Sequence, residues 1–172
     1  MTRIKIKICL IGATGVGKTS LASRYVRSMF SESYLTTIGV KIETRELRRA
    51  GRELQLVIWD LSGEDEFQNV QAAYLMGAAG YLLVADGTRR GTLDTAAVLE
   101  RRVREAVGNV PYVLVINKHD LAASWEVDDA DTKLLREKAY ATIDTSARTG
   151  GGVSEAFDLL VDAIVAGNPP WI

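Results

Sequence analysis

The sequence predicts an α/β fold in which a six-stranded, mostly parallel sheet with one antiparallel edge strand carries helices on both faces. Three observations predict it. Short apolar runs alternate with helix-like segments along the chain, the pattern of strands linked by crossover helices. Two of those runs, 40–48 and 53–60, flank only Arg49-Ala50-Gly51-Arg52, a turn short enough to make them an antiparallel hairpin. The chain has 172 residues, near the size of one ordinary domain, so a single domain over 1–172 is expected.

Taken in order, residues 4–11 read as a strand and 18–29 as a helix, while 30–39 has weak periodicity and many hydroxyl side chains and reads as a loop. The hairpin strands follow. Further strands are expected at 81–86, 112–117 and 141–144, with helices near 67–76, 94–107, 131–138 and 153–165. In the first hairpin strand Lys41, Glu43 and Arg45 alternate with Val40, Ile42 and Thr44, a charged face expected of a protected sheet edge. Prolines occur only at Pro111, Pro169 and Pro170, and the last two mark the end of the domain rather than a linker.

Composition excludes several classes. Hydrophobic residues at 47% and charged residues at 25% sit close to globular averages, against both disorder and a membrane bundle. A net charge of -1 gives no global field for nucleic acid, which is not expected as a partner. Cys9, the only cysteine, lies in an apolar run and reads as a small buried hydrophobe; a disulfide framework is excluded. The N-terminus is too charged for a secretory signal and no apolar segment approaches ~20 residues, so cytoplasmic residence is expected. Thr2 does not fit N-myristoylation and the last residues contain no cysteine for prenylation, so no covalent lipid anchor is evident. Arg48, Arg49 and Arg52, like Arg101, Arg102 and Arg104, read as solvated faces, with a docking patch as the rival reading.

The chemistry begins at Gly12-Ala13-Thr14-Gly15-Val16-Gly17-Lys18-Thr19, which matches the P-loop pattern G-x-x-x-x-G-K-S/T, follows an expected strand and opens an expected helix. Its glycines let backbone N–H groups converge on phosphate oxygens at the positive end of a helix. Lys18 would reach the β- and γ-phosphates, and the Thr19 hydroxyl would coordinate Mg²⁺. Asp60-Leu61-Ser62-Gly63 ends an apolar strand; alone it would be a common turn, but beside a P-loop it is a carboxylate addressing the metal. Asn117-Lys118-His119-Asp120 lies at a strand's carboxyl end, where α/β sheets hold ligands. The Asp120 carboxylate can accept from guanine N1–H and the exocyclic amine, a pair adenine lacks. His119 fills the variable position and reads as a loop residue.

This ordered set, with a switch-loop Thr and the late Thr145-Ser146-Ala147, resembles the Ras superfamily over essentially the whole chain. Thr37-Ile38-Gly39-Val40, Trp59-Asp60 and Gly77-Ala78-Ala79-Gly80 are most similar to Rab-like members. The resemblance implies a P-loop NTPase fold and a GTP/GDP switch that uses Mg²⁺, hydrolyses GTP to GDP and phosphate, and meets an exchange factor, a GTPase-activating protein and effectors through its switch regions. It implies Thr19, Thr37 and Asp60 on the metal, with Thr36 as the rival to Thr37. Nucleotide would be held by Thr14, Gly15, Val16, Gly17, Lys18, Thr19, Ser20, Phe30, Tyr34, Gly63, Asn117, Lys118, Asp120, Ser146, Ala147 and Arg148. Of these, Phe30 would lie against the base, Tyr34 over the phosphates, and the Ala147 N–H on the guanine oxygen. Glu64, Lys18 and Thr37 would serve catalysis.

The sequence departs from that pattern at three places. Glu64 stands where most members have a water-orienting glutamine, Thr14 where they have a smaller residue beside the γ-phosphate, and Leu35 where a proline is common. The departures point to a low intrinsic rate, and they motivate the alternative of a nucleotide-loaded interaction module that turns over negligibly. An ATP-using P-loop enzyme is opposed by Asp120.

Overall fold

The computed structural model describes residues 3–27, 33–35, 40–61 and 72–167, of which 33–35 by backbone alone. In chain order the elements are β1 (Ile4–Gly12), α1 (Lys18–Val26), β2 (Ser33–Leu35), β3 (Lys41–Arg49), β4 (Arg52–Asp60), α2 (Ala72–Leu75), β5 (Ala78–Asp86) and α3 (Gly91–Val107). Then come β6 (Tyr112–Asn117), a 3-10 turn (His119–Ser124), α4 (Asp129–Lys138), β7 (Ala141–Asp144) and α5 (Val153–Ala166).

The strands lie in the order β2-β3-β4-β1-β5-β6-β7. β1 pairs in parallel with β4 and β5, and β5-β6 and β6-β7 continue the parallel run. All six expected strands are present, with β3 antiparallel to β4. The short β2 extends the sheet antiparallel to β3, inside the segment read as a loop. Three residues of main-chain pairing require no side-chain periodicity, which is why the sequence hid it. The β3-β4 turn is tighter than the four residues suggested: Arg49 faces Arg52 in register, and Ala50 and Gly51 have φ of 51° and 74°. Positive φ at both central positions is the signature of a type I′ hairpin turn, whose twist matches that of the strands.

β1 is buried on both faces, so its alternation sorts two cores rather than a core and a surface. Ile6, Ile8 and Leu10 pack with Leu21 and Tyr25 of α1 and with Phe157, Leu160 and Val161 of α5. Cys9 and Ile11 point the other way, to Leu75 of α2 and to Leu93, Ala96, Leu99 and Val103 of α3. Helices therefore cover both faces. Tyr25 and Phe157 stack with ring centroids 3.9 Å apart, fixing α1 against α5. Burial pushes the Cys9 thiol up to about 12, so it is the inert small hydrophobe expected.

The charged face of β3 is a correction. It does not face water but lies against α1 and α5. The Arg45 guanidinium sits 3.9 Å over the Tyr25 ring and donates to the Tyr25 carbonyl at 2.6 Å. Lys41 pairs with Glu43 at 3.2 Å, and Glu43 itself is buried. Arg49 bridges to Asp158 and Asp162 of α5 at 2.8 and 3.2 Å. Alternation revealed two different faces but not what covers the polar one; long aliphatic stems let charged residues pack on a helix.

α1 and α5 begin where the apolar pattern indicated, whereas α3 and α4 begin slightly earlier. α3 starts at Gly91, where the Thr92 hydroxyl accepts from the Asp86 amide at 2.9 Å and donates to the Arg89 carbonyl at 2.7 Å. α4 is opened by a capping box: Asp128 accepts from the Asp131 amide at 2.9 Å, and Asp131 accepts from the Asp128 amide at 3.0 Å. Of the helix expected at 67–76, residues 72–76 fall among those described, and of these Ala72–Leu75 are helical.

Candidate functional site

Because β1, β4, β5, β6 and β7 run parallel, their carboxyl ends gather at one edge of the sheet. That edge presents Gly12, Asp60, Asp86, Asn117 and the Thr145-Ser146-Ala147 turn. The first loop needs its glycines for separate reasons. A Cβ on Gly12 would stand 2.3 Å from the Val84 carbonyl oxygen, so β1 and β5 approach too closely for any side chain. Gly15 and Gly17 have φ of 77° and 105°, and a Cβ on Gly17 would meet Asn117 Nδ2 at 2.3 Å. Gly17 caps α1, whose first amides thus open toward the loop.

Lys18 is buried beneath this loop, donating to the Gly12 and Ala13 carbonyls at 2.5 and 3.1 Å. Burial brings its ammonium down to about 8, with the Asp60 carboxylate acting in the opposite sense. Such a desolvated cation gains from an added anion. The next residue, Thr19, donates its hydroxyl to Asp60 Oδ2 at 2.5 Å, across β1 and β4. Two of the three residues expected on the metal therefore meet. Among the described residues no group of three or more His, Cys, Asp or Glu is assembled. One carboxylate beside one hydroxyl fits Mg²⁺, which takes few protein ligands and fills its shell with water and phosphate oxygens.

Asn117 joins three segments. Its Nδ2 donates to the Val16 carbonyl at 2.9 Å, and its Oδ1 accepts from the Thr145 hydroxyl at 2.9 Å and the Ala147 amide at 3.2 Å. Lys118 has φ of 74°, a left-handed conformation that turns its ammonium onto Asp86 Oδ2 at 2.8 Å. Asp120 accepts from the Ser146 hydroxyl at 2.8 Å, which fixes one carboxylate oxygen. A cleft of roughly 510 Å³ opens between these parts, lined by Gly17, Thr19, Ser20, Asn117, Lys118, Asp120, Ala147 and Arg148 among others. That is room for a mononucleotide. Thr14 and Gly15 lie on the exposed outer turn of the loop.

Of the other expected residues, Tyr34 is placed by its backbone alone, paired with Ile42. Phe30, Thr37, Gly63 and Glu64 lie outside the described residues. The Ala147 N–H, expected on a guanine oxygen, points to Asn117 Oδ1 here.

Sequence reading missed Asp86, which is fully buried and the hub of the edge. Its Oδ1 accepts from the Thr88 amide and hydroxyl at 2.8 and 2.7 Å, and its Oδ2 from Arg89 and Lys118. Burial is the largest single influence and pushes this carboxyl up. The donors, Lys118 and Thr88 foremost, together outweigh it and hold the group at about 2. Its position at the end of an apolar strand, as for Asp60 and Asn117, is the signal that could have found it. Trp125 was missed too: its indole donates to the Lys118 carbonyl at 2.9 Å and its ring covers Gly87, supporting the base loop from behind.

With this geometry in hand, comparison with known proteins is specific. The Ras family model matches residues 7–166. The chain is 36% identical over 160 residues to the Ras-related protein Rab2BV of Beta vulgaris, covering 92% of this chain and 75% of the relative. It is 37% identical over 165 residues to Rab-25 of Bos taurus, covering 93% and 76%. It is 35% identical over 162 residues to Rab-13 of Mesocricetus auratus, covering 92% and 79%.

Proposed function

We propose that this chain, which belongs to the Ras family of GTP-hydrolysing molecular switches, performs that chemistry within one domain spanning residues 1–172. Guanine is read by Asp120, whose carboxylate accepts from N1–H and the exocyclic amine while Ser146 steadies it. Ala147 shares its amide between Asn117 and the guanine oxygen, and Lys118 and Arg148 flank the base with their stems. Phosphates lie against the amides of Thr14 to Ser20, where Lys18 exchanges the Gly12 and Ala13 carbonyls for the β- and γ-oxygens. By their places in the family pattern, Phe30 is assigned to the base and Tyr34 to the phosphates.

Thr19, Asp60 and Thr37 hold Mg²⁺, which supplies positive charge to the phosphate oxygens when bound. Thr37 and Gly63 then sense the γ-phosphate, ordering the switch segments that exchange, activating and effector proteins read. By its place in the family pattern, Glu64 is assigned to the attacking water. We place the protein in the cytoplasm; among the described residues no helix is long and apolar enough to cross a membrane.

The observation that carries this reading is the set of three hydrogen bonds joining Asn117 to Val16, Thr145 and Ala147, which locks a phosphate loop and a base loop into one cleft. The test is to denature purified protein, identify the released nucleotide by chromatography, and follow phosphate release from reloaded GTP with and without Mg²⁺. Guanine nucleotide and Mg²⁺-dependent release are expected. An adenine nucleotide, or displacement of bound GDP by ATP, would overturn the reading.

A further inference from the structure

Arg89 follows β5 in the loop to α3, and its side chain spans two parts of the site. Its Nε donates to Asp86 Oδ2 at 3.0 Å and its Nη2 to the Thr14 carbonyl at 2.9 Å, 75 residues back in the chain. The backbone is fixed at both ends: the Arg89 amide donates to the Asp86 carbonyl at 3.0 Å, and its carbonyl accepts from the Thr92 amide and hydroxyl. A Cβ on Gly15 would lie only 3.4 Å from Arg89 Nη2, so the guanidinium rests against the outer turn of the phosphate loop. The same Asp86 oxygen accepts from Lys118 of the base loop.

We propose that Arg89 is a positioning residue for nucleotide retention: clamped by Asp86, it holds the Thr14 carbonyl outward so that the neighbouring loop amides face the phosphates. A peptide group has one orientation to give. With its carbonyl anchored outside the loop by a charge-assisted hydrogen bond, the following amide faces inward before any phosphate arrives, and binding spends less on ordering a loop rich in glycine. The guanidinium suits the task because it reaches two acceptors in fixed directions, whereas a lysine ammonium is a point charge. Arg89 touches no reacting atom, and the inference rests on the guanine-nucleotide reading above.

The test compares Arg89→Met and Arg89→Lys with the parent, using a fluorescent GDP analogue for dissociation rates and GMP for equilibrium affinity. Arg89→Met is expected to release the GDP analogue about tenfold faster while GMP affinity changes less than twofold, because the loop acts on the β-phosphate. Arg89→Lys is expected to recover part of the loss. Equal retention in Arg89→Met and parent would overturn the proposal. So would a parallel loss of GMP and GDP affinity with a lowered melting temperature, which would make Arg89 a general brace of the fold. A parent that binds no guanine nucleotide would instead sink the functional reading.

Discussion

Asn117 and Val16 stand 101 residues apart in the chain, yet the Asn117 side-chain amide donates to the Val16 carbonyl at 2.9 Å. The bond is possible only because Gly17 has no Cβ to occupy the space of Asn117 Nδ2. Asn117→Asp removes the donor and sets a buried carboxylate against a carbonyl. We expect GDP to dissociate roughly 100-fold faster and unfolding free energy to fall by about 2 kcal/mol. Stopped-flow dissociation and urea unfolding check this; a variant that holds GDP as long as the parent refutes the role given to Asn117.

Asp120→Asn tests the base assignment without removing the local support, since an amide oxygen can still accept from Ser146. The amide donates to the C2 oxygen of xanthine but cannot accept from both guanine donors. Preference is expected to move from GDP to xanthosine diphosphate, with GDP affinity lowered by roughly 100-fold or more. Competition titration reads both, and unaltered GDP affinity would contradict the assignment.

Asp86 makes the site sensitive to acid. Its carboxyl is held at about 2, below the ordinary 3.8, so the folded state favours the ionised form. The resulting stabilisation is complete above the unfolded value near pH 4 and is lost as pH falls through 4 toward 2. That difference corresponds to about 2–3 kcal/mol. Urea unfolding at fixed excess GDP should show the gap between parent and Asp86→Asn narrowing by that amount from pH 6 to pH 2. A constant gap would mean that the Lys118, Thr88 and Arg89 contacts do not favour the anion.

The β3-β4 turn carries a removable cost. Ala50 holds φ of 51°, a region that alanine rarely adopts and asparagine tolerates. Ala50→Asn, which creates Asn-Gly at the two central positions, should raise stability by roughly 0.5–1 kcal/mol without altering GDP release. Thermal unfolding decides it, and a destabilised variant would argue against the type I′ geometry.

The proposed role of Glu64 carries a prediction about rate. A glutamine can accept from water while donating toward the γ-phosphate; an ionised glutamate cannot donate. Glu64→Gln is therefore expected to hydrolyse preloaded GTP faster than the parent in single turnover. A faster parent whose rate rises with pH through one ionisation would instead make Glu64 a general base.

The parallel core was legible because its strands announce themselves twice, once as apolar runs and again as polar residues at their carboxyl ends. Gly12, Asp60 and Asn117 each sit at such an end, and each falls in a motif that points to a role. Asp86 occupies the same kind of position but belongs to no motif, so its sequence context looks like an ordinary turn. Thr88 and Arg89 reach it from the loop that follows, and Lys118 reaches it because the sheet register sets Asp86 opposite Asn117. Glu43 is a related case: its alternation with Ile42 shows a polar face but not that the residue is buried, with its carboxylate paired to Lys41. The 3-10 turn at His119–Ser124 follows an αL residue, Lys118, and left no apolar period to detect.

The strand order also dictates when a growing chain can first hold a ligand. β1 is synthesised first, but its neighbours β4 and β5 follow much later, with Ile4 facing Leu54 and Lys7 facing Ala78. The Thr145 and Ala147 bonds to Asn117 come from the last quarter of the chain. A nascent chain therefore carries its glycine loop with no opposite wall until residue 147 has emerged, and nucleotide capture waits for that point.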